Sequence, residues 1–530
     1  MVLKLVQAAA DRFFPSQYAY HILIGIITVT ALRAFARGRT TNRERDLHNR
    51  TFLVTGGFTP LGLTLLQDLA SRGAKVIALS PYPIDSPNVT ILVSLLRTTY
   101  NNENIFAERC DLANSADVRK FCMQFLTEGE EGTKSQPNDK EKEKEKPGVR
   151  ADSRLDGIIF AHEYQHLGVP NFLRTRSTDD TERQRESDSL ATFLMTTLLL
   201  PALLVAPVER DIRIINIVNP FYAAASAAVR TSKAFDPTFK LLTPLPPSST
   251  SSTPSPLSRK NSVFLTEGLR SLRTIIFTRH LQRIFDALPK PQIPKTEEGT
   301  SSVPIISGRM QRSNIVAISV SPGISRVDTV SRLLNADWNA VETEENVGKK
   351  FSWIGVLLYI LLLPLLYIST KSPKFAIQSI LHALFLPTPF KVLSQAISSS
   401  SETESKSQSA NDKSTHDAKP RTSTSQLTRE ELLKPGALYA ECAIVRLDLA
   451  VPAPPLPEDK TADSTKGKGK EKEKGGKGLK EEVLQIEDDG EYGGEIAGRM
   501  VWEAYEAALK VWERDSGSDG DGQKDGEAAH

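Results

Sequence analysis

A chain of 530 residues with 39% hydrophobic and 25% charged residues has ample apolar material for a full-sized core, since about 100 to 200 residues suffice for one domain. Its formal charge of +2 lacks the basic excess of a nucleic-acid binder, so no nucleic-acid partner is expected. Three cysteines (Cys110, Cys122, Cys442) without a Cys-x-x-Cys pair, and eight scattered histidines, exclude a disulfide framework and a structural zinc site.

Residues 18–35 (YAYHILIGIITVTALRAF) are apolar except for His21 and Arg33, close to the ~20 residues that a membrane span requires. A cleaved signal peptide fits less well, because no small-residue cleavage pattern follows and the next residues are basic. A buried amphipathic helix is a third reading, opposed by the lack of preceding sequence to supply a core. Arg33, Arg37, Arg39, Arg43 and Arg45 lie at or after the end of the run, and only Lys4 and Arg12 precede it. The positive-inside rule therefore places the bulk of the chain in the cytosol.

Residues 51–55 (TFLVT) form a short β-branched run, followed by Gly56-Gly57 and by apolar residues at helical spacing over 61–70. That pattern predicts strand, glycine turn, helix. Further strands are predicted at 75–79, 105–110, 157–160, 213–218 and 314–320, with helices at 190–205 and 264–287. Strands alternating with helices imply a parallel, doubly wound sheet with right-handed crossovers. Residues 351–369 (FSWIGVLLYILLLPLLYIS) carry no charge. Because the sequence beyond them continues the same fold, a monotopic or re-entrant segment is expected there rather than a span.

Several connections are too long for compact loops. Residues 127–154, 174–189, 244–262, 398–425 and 452–482 are rich in charge or in Ser, Thr, Pro and Gly, and such stretches cannot bury enough apolar surface to order themselves. They are read as solvated insertions, with partner docking or phosphorylation as the sharper alternative. The expected organisation is a membrane anchor with basic flank over 1–49 and a doubly wound α/β domain over 50–450 interrupted by these insertions. A disordered linker over 451–485, a C-terminal helix over 486–513 and a disordered tail over 514–530 follow.

Residues 55–62 read TGGFTPLG, which resembles the Thr-Gly-x-x-x-Gly-x-Gly cofactor turn of the short-chain dehydrogenase/reductase superfamily. The resemblance implies a Rossmann-type doubly wound sheet and a cofactor, NADP or NAD, held by Thr55, Gly56, Gly57, Gly62, Asp111, Pro322 and Gly323. In such a turn the glycines allow a tight bend and close approach of the pyrophosphate to a helix N-terminus. Pro60 departs from the pattern, having no amide hydrogen and adding a ring. Other pieces follow in family order: Asp111-Leu112 after the third strand, residues 155–163 (LDGIIFAHE) in place of a segment ending Asn-Asn-Ala-Gly, a central helix at 193–204, and Ser321-Pro322-Gly323 after the sixth strand. Residues 275–281 (IIFTRHL), 370–384 and 436–442 (GALYAEC) are similar to the retinol-dehydrogenase-like branch, as is Arg499 to Trp502 with its helical tail. The likeness covers roughly residues 50–512 without the insertions.

The family's proton-transfer residues are a tyrosine with a lysine four positions on, a serine and an asparagine. Anchored on IIFTRHL, these positions fall on Glu267, Ser271, Asn219 and Asp188, so no catalytic residue is assigned. Glu163 stands where a glycine would lie near the cofactor, Glu267 is read as a solvated helix residue, and His162 as a satisfied histidine. Tyr367 and Lys371 have the Tyr-x-x-x-Lys spacing but follow Pro322-Gly323, the wrong place in the fold. Val229 to Ala234, with Ser232 and Lys233, lacks the tyrosine, and Tyr222 is not spaced to replace it. After the second strand, Ser80-Pro81-Tyr82 offers neither an acidic group for a ribose hydroxyl nor an arginine for a phosphate.

The leading expectation is a membrane-associated, catalytically degenerate relative serving as a nucleotide sensor or scaffold. The alternative is an NAD(P)-dependent oxidoreductase acting on a lipid or lipophilic carbonyl or alcohol. Expected partners are the membrane, a lipid-like small molecule, and proteins recruited by the disordered insertions. The endoplasmic reticulum is the expected organelle from the resemblance, with the mitochondrial outer membrane as the alternative.

Overall fold

The computed structural model describes residues 16–131, 154–164, 167–170, 178–204, 210–232, 237, 263–288, 314–336, 353–388, 431–449, 486 and 488–521. The segments expected as insertions at 244–262 and 398–425, and the linker at 451–485, lie outside these residues, as do 132–153 and 522–530.

Six strands form, β1 (Thr51–Thr55), β2 (Lys75–Ser80), β3 (Ile105–Arg109), β4 (Gly157–Phe160), β5 (Ile212–Ile217) and β6 (Ile315–Ser321), all but β3 over short and largely buried apolar runs. Two more, β7 (Leu438–Ala440) and β8 (Ala443–Val445), complete one sheet of order β3-β2-β1-β4-β5-β6-β7-β8. All neighbours are parallel except β7 and β8. The order reverses between β1 and β4, and a ligand crevice is expected at the carboxyl ends of the strands at such a switch point.

Alternate strand residues feed two cores, as a period of two requires. Leu53, Ile77, Ile158, Ile214 and Ala317 face one side, where α4 (Ser115–Glu131), α5 (Thr178–Leu204), α7 (Val263–Ala287) and α10 (Gly494–Asp521) pack. Val54, Val76, Ile159, Ile215 and Ile318 face the other, covered by α2 (Pro60–Ser71), α3 (Pro87–Tyr100) and α9 (Pro373–Phe385). Each fully buried Leu, Ile or Phe contributes about 1.5 to 3 kcal/mol relative to leaving it exposed, so both faces stabilise the sheet. Helices on both faces make the architecture doubly wound. A further helix, α6 (Tyr222–Ser232), packs on α7.

Three expectations on boundaries are corrected. Residues 127–131 of the insertion expected over 127–154 are the end of α4. The charged segment 174–189 is helical from Thr178 as the first part of α5, and Ser187, Asp188 and Ser189 are buried. The C-terminal helix runs from Gly494 to Asp521 rather than over 486–513, so 514–521 is helix and not tail.

Two apolar helices stand apart from the cores. In α1 (Ser16–Arg37) the stretch Tyr20–Arg37 is long and apolar enough to cross a membrane and none of it is buried. Arg183–Leu204 within α5 passes the same length test but is 67% buried, as befits a helix against the sheet. The second exposed apolar helix is α8 (Trp353–Ser369), which packs against α1.

Candidate functional site

The residues expected to hold a cofactor gather at the carboxyl end of the sheet. Gly56, with φ of 63°, turns the chain out of β1, a left-handed conformation in which glycine carries no Cβ penalty. At Gly62 a Cβ would strike the Gly56 carbonyl, so helix and turn approach as closely as the glycine pattern requires. Gly57 lies against Ala78 of β2 and Leu66 of α2. Asp111 follows β3, and its Oδ1 accepts the Ala113 amide at 2.9 Å, a local turn contact. Pro322 and Gly323 follow β6, Gly323 with φ of 92°.

A helix N-terminus exposes up to four amides without intrahelical partners. Those of α2 are all accounted for within the chain. The Thr59 amide donates to the Gly56 carbonyl at 3.3 Å, and Pro60 has no hydrogen to give. The Leu61 amide donates to Asp328 Oδ1 at 3.0 Å, and the Gly62 amide to Thr59 Oγ1 at 3.0 Å. Asp328 belongs to a π-helical turn, Arg326–Val330, capped by Ser325. Ser325 Oγ donates to Asp328 Oδ2 at 2.8 Å. The carboxylate is 1% exposed and sits where a helix dipole favours an anion.

Tyr164 closes the adjacent strand ends. It is fully buried in the short turn His162–Tyr164 that follows β4. Its hydroxyl donates to the Gly323 carbonyl at 2.7 Å and accepts from the Ser325 amide at 3.2 Å and Thr329 Oγ1 at 3.0 Å. Burial and the nearby Asp328 push its pKa well above the usual phenol range. Pro322 is held from the other side, its carbonyl accepting Lys371 Nζ at 3.0 Å.

Beneath this lies a packed polar layer. His162 Nδ1 meets the Thr55 hydroxyl at 2.7 Å, and Nε2 donates to the Asp188 carbonyl at 2.9 Å. Glu163, 5% exposed, accepts from Thr192 Oγ1 and Thr274 Oγ1, both at 2.9 Å. The expectation of a satisfied histidine at 162 agrees with these contacts. That of a solvated Glu267 does not. Glu267 is buried and pairs with Arg185 at 3.1 Å and Arg270 at 2.8 Å, while accepting the Gly168 amide at 2.9 Å. Burying a carboxylate is costly unless it is paired, and Arg185 comes from the very stretch read as a solvated insertion.

The four positions expected to bear the proton-transfer residues are buried, and two of them touch. Asn219 Nδ2 donates to the Glu267 carbonyl at 3.4 Å, and its Oδ1 accepts the Phe221 amide at 3.1 Å. Ser271 lies in α7 and Asp188 in α5, both buried. The Tyr367 and Lys371 pair does not form a dyad. The Tyr367 ring carries the guanidinium of Arg33 at 3.7 Å, while Lys371 turns to Pro322 and ion-pairs with Glu441. Lys233 and Ala234 lie outside the described residues. Among the described residues no group of three or more His, Cys, Asp or Glu is arranged to hold a metal.

Asp328 and Tyr164 were not legible as site residues. Asp328 arrives from 267 positions away, and no spacing rule connects it to a glycine turn. The only available signal was Pro60, which already removes one donor.

Residues 50–132 match the family model of the KR domain. An uncharacterized oxidoreductase of Saccharomyces cerevisiae is 31% identical over 195 residues, 36% of this chain and 42% of that protein. Retinol dehydrogenase 12 of Mus musculus is 21% identical over 193 residues, 36% of this chain and 51% of that protein. The chain thus spans about half the length of the curated relatives it matches. A short-chain dehydrogenase from Sphingobium yanoikuyae, solved in complex with NADPH, is similar over 69% of this chain and 99% of its own, at 12% identity and a TM-score of 0.35. The sheet order, the glycine turn and the match to the two oxidoreductase relatives support a member of the short-chain dehydrogenase/reductase superfamily.

Proposed function

We propose that this protein is a membrane-anchored, cytosol-facing member of the superfamily whose dinucleotide site is closed by its own side chains, and that it works as a scaffold rather than as a redox enzyme. The observation that carries the reading is the Asp328 carboxylate on the Leu61 amide. A pyrophosphate brought to the α2 N-terminus finds no free amide among Thr59, Pro60, Leu61 and Gly62. It also meets a fixed negative charge. Like charges brought together at this terminus repel one another. Tyr164, tied to Gly323, Ser325 and Thr329, occupies the neighbouring strand ends. The residues present therefore do not fit a bound NAD or NADP in this arrangement.

The anchor rests on the unburied stretch Tyr20–Arg37, and the orientation on the arginines that follow it. Loss of proton-transfer chemistry rests on Glu267, Ser271, Asn219 and Asp188 at the expected positions, with Glu267 neutralised by Arg185 and Arg270.

A second reading, an NAD(P)-dependent oxidoreductase on a lipophilic carbonyl or alcohol, is favoured by the names of the relatives. It requires Asp328 and Tyr164 to leave the mouth and a proton donor other than Glu267. Purified full-length protein supplied with NADPH or NADH and long-chain aldehydes separates the two. No oxidation above the protein-free rate is expected. Turnover dependent on the protein overturns the scaffold reading.

A further inference from the structure

We infer that α8 is a second membrane contact, lying in the plane of one leaflet with anionic headgroups at its arginine-flanked end, and does not span the bilayer. The inference rests on the membrane anchoring proposed above and adds a surface and a geometry to it. Both ends of α8 are held by one segment of the domain, residues 324–336. Near its start, Gly355 backs so closely onto the Leu334 carbonyl that no Cβ would fit, and Tyr359 is buried among Val330, Leu334 and Ala336. Just past its end, the Lys371 amide donates to the Ile324 carbonyl at 3.0 Å and the Arg326 amide to the Lys371 carbonyl at 3.1 Å. The Arg326 guanidinium lies 5.2 Å from the Tyr367 ring centroid. A helix docked at both ends on one short segment runs along the domain surface. Its 17 residues also measure only about 25 Å, short of the ~30 Å hydrocarbon core.

The outward face is made of Trp353, Ile354, Leu357, Ile360, Leu361 and Leu365, with Trp353, Leu357 and Leu361 each more than 70% exposed. Their spacing is that of one helical face. Between Ile354 and Leu365 this face offers no hydrogen-bonding side chain, whereas a protein partner is expected to supply about one hydrogen bond per 100 to 200 Å². A lipid surface makes no such demand. Trp353 and Tyr367 mark the two ends, and both residue types favour the headgroup level. At the second end, Arg33 donates to the Tyr367 carbonyl at 3.0 Å and Arg37 lies 5.2 Å from the Phe375 ring. With Arg326 they form a cationic cluster suited to anionic lipid. The same contact makes α8 continuous with the exposed apolar surface of α1.

The test uses full-length protein with Leu357→Cys, Leu361→Cys or Leu365→Cys, labelled with a polarity-sensitive fluorophore. The three native thiols are buried, which leaves the introduced one as the accessible target. Vesicles contain phosphatidylcholine and phosphatidylserine, with lipids brominated at defined acyl depths as quenchers. Flotation with vesicles tests the anchoring itself, and a chain that stays behind overturns both readings. On floated protein, all three labels should be quenched with the same shallow depth profile. A progressive change in depth from 357 to 365, about 12 Å for a helix along the membrane normal, means a span and overturns the inference while leaving the anchor intact. Labels on floated protein that resist every lipid quencher overturn it as well, and assign the face to a protein.

Discussion

Asp328 concentrates the residue-scale account. Its carboxylate accepts from the Leu61 amide and from Ser325 Oγ inside the folded chain, and hydrogen bonds to a buried charge are worth about 1.5 to 3 kcal/mol. Asp328→Ala strips the Leu61 amide of its partner, so a loss of roughly 1 to 3 kcal/mol is expected in urea unfolding. An unchanged midpoint would mean that the carboxylate is idle in the fold. Pro60 was visible in the sequence as a break in the glycine pattern, and its consequence, a missing donor, follows from its chemistry alone. The partners of Leu61 and Glu267 were not visible. They come from Asp328 and Arg185, which reach the site through tertiary packing, and Arg185 lay in a stretch whose composition resembled solvated loop.

At the scale of elements, the edge strand β3 is mostly half-buried, whereas the interior strands were legible because parallel strands buried on both faces read as apolar runs rich in β-branched residues. The hairpin of β7 and β8 was not. Its strands have three residues each, too few for a period, and its turn uses Glu441 and Cys442 at φ of 52° and 57°, residue types that seldom announce a left-handed turn. The helix α10 docks through aromatic packing, with Phe193 within 5.1 to 5.6 Å of Phe277, Trp502 and Tyr505. His280 of α7 sits under Gly498 and against Trp502. Burial first, then Arg283 and Arg499, push its pKa down from 6.5 to about 4. A depressed folded-state value means that protonation favours the unfolded chain. The contribution of His280 is therefore complete above pH 6.5, shrinks as the pH falls, and is lost below about 4. Urea midpoints followed by tryptophan fluorescence should drop across that window, and less steeply in His280→Leu. Equal slopes in the two proteins would remove His280 as the cause.

For the molecule as a whole, the sheet, its two cores and the exposed α1 and α8 form one connected design. The segment 324–336 bears Asp328 at the α2 N-terminus and also receives both ends of α8. The surface proposed to meet lipid and the strand ends proposed to exclude a dinucleotide thus share a support. That proposed exclusion carries the functional reading. Its most direct test is titration of the full-length protein, in detergent or lipid nanodiscs, with NADPH and with NADH, read by nucleotide fluorescence and by thermal unfolding. No saturable signal and no rise in Tm are expected for either nucleotide up to millimolar concentration. Micromolar binding accompanied by a rise in Tm would contradict the account, since ligand that binds only the folded state must stabilise it.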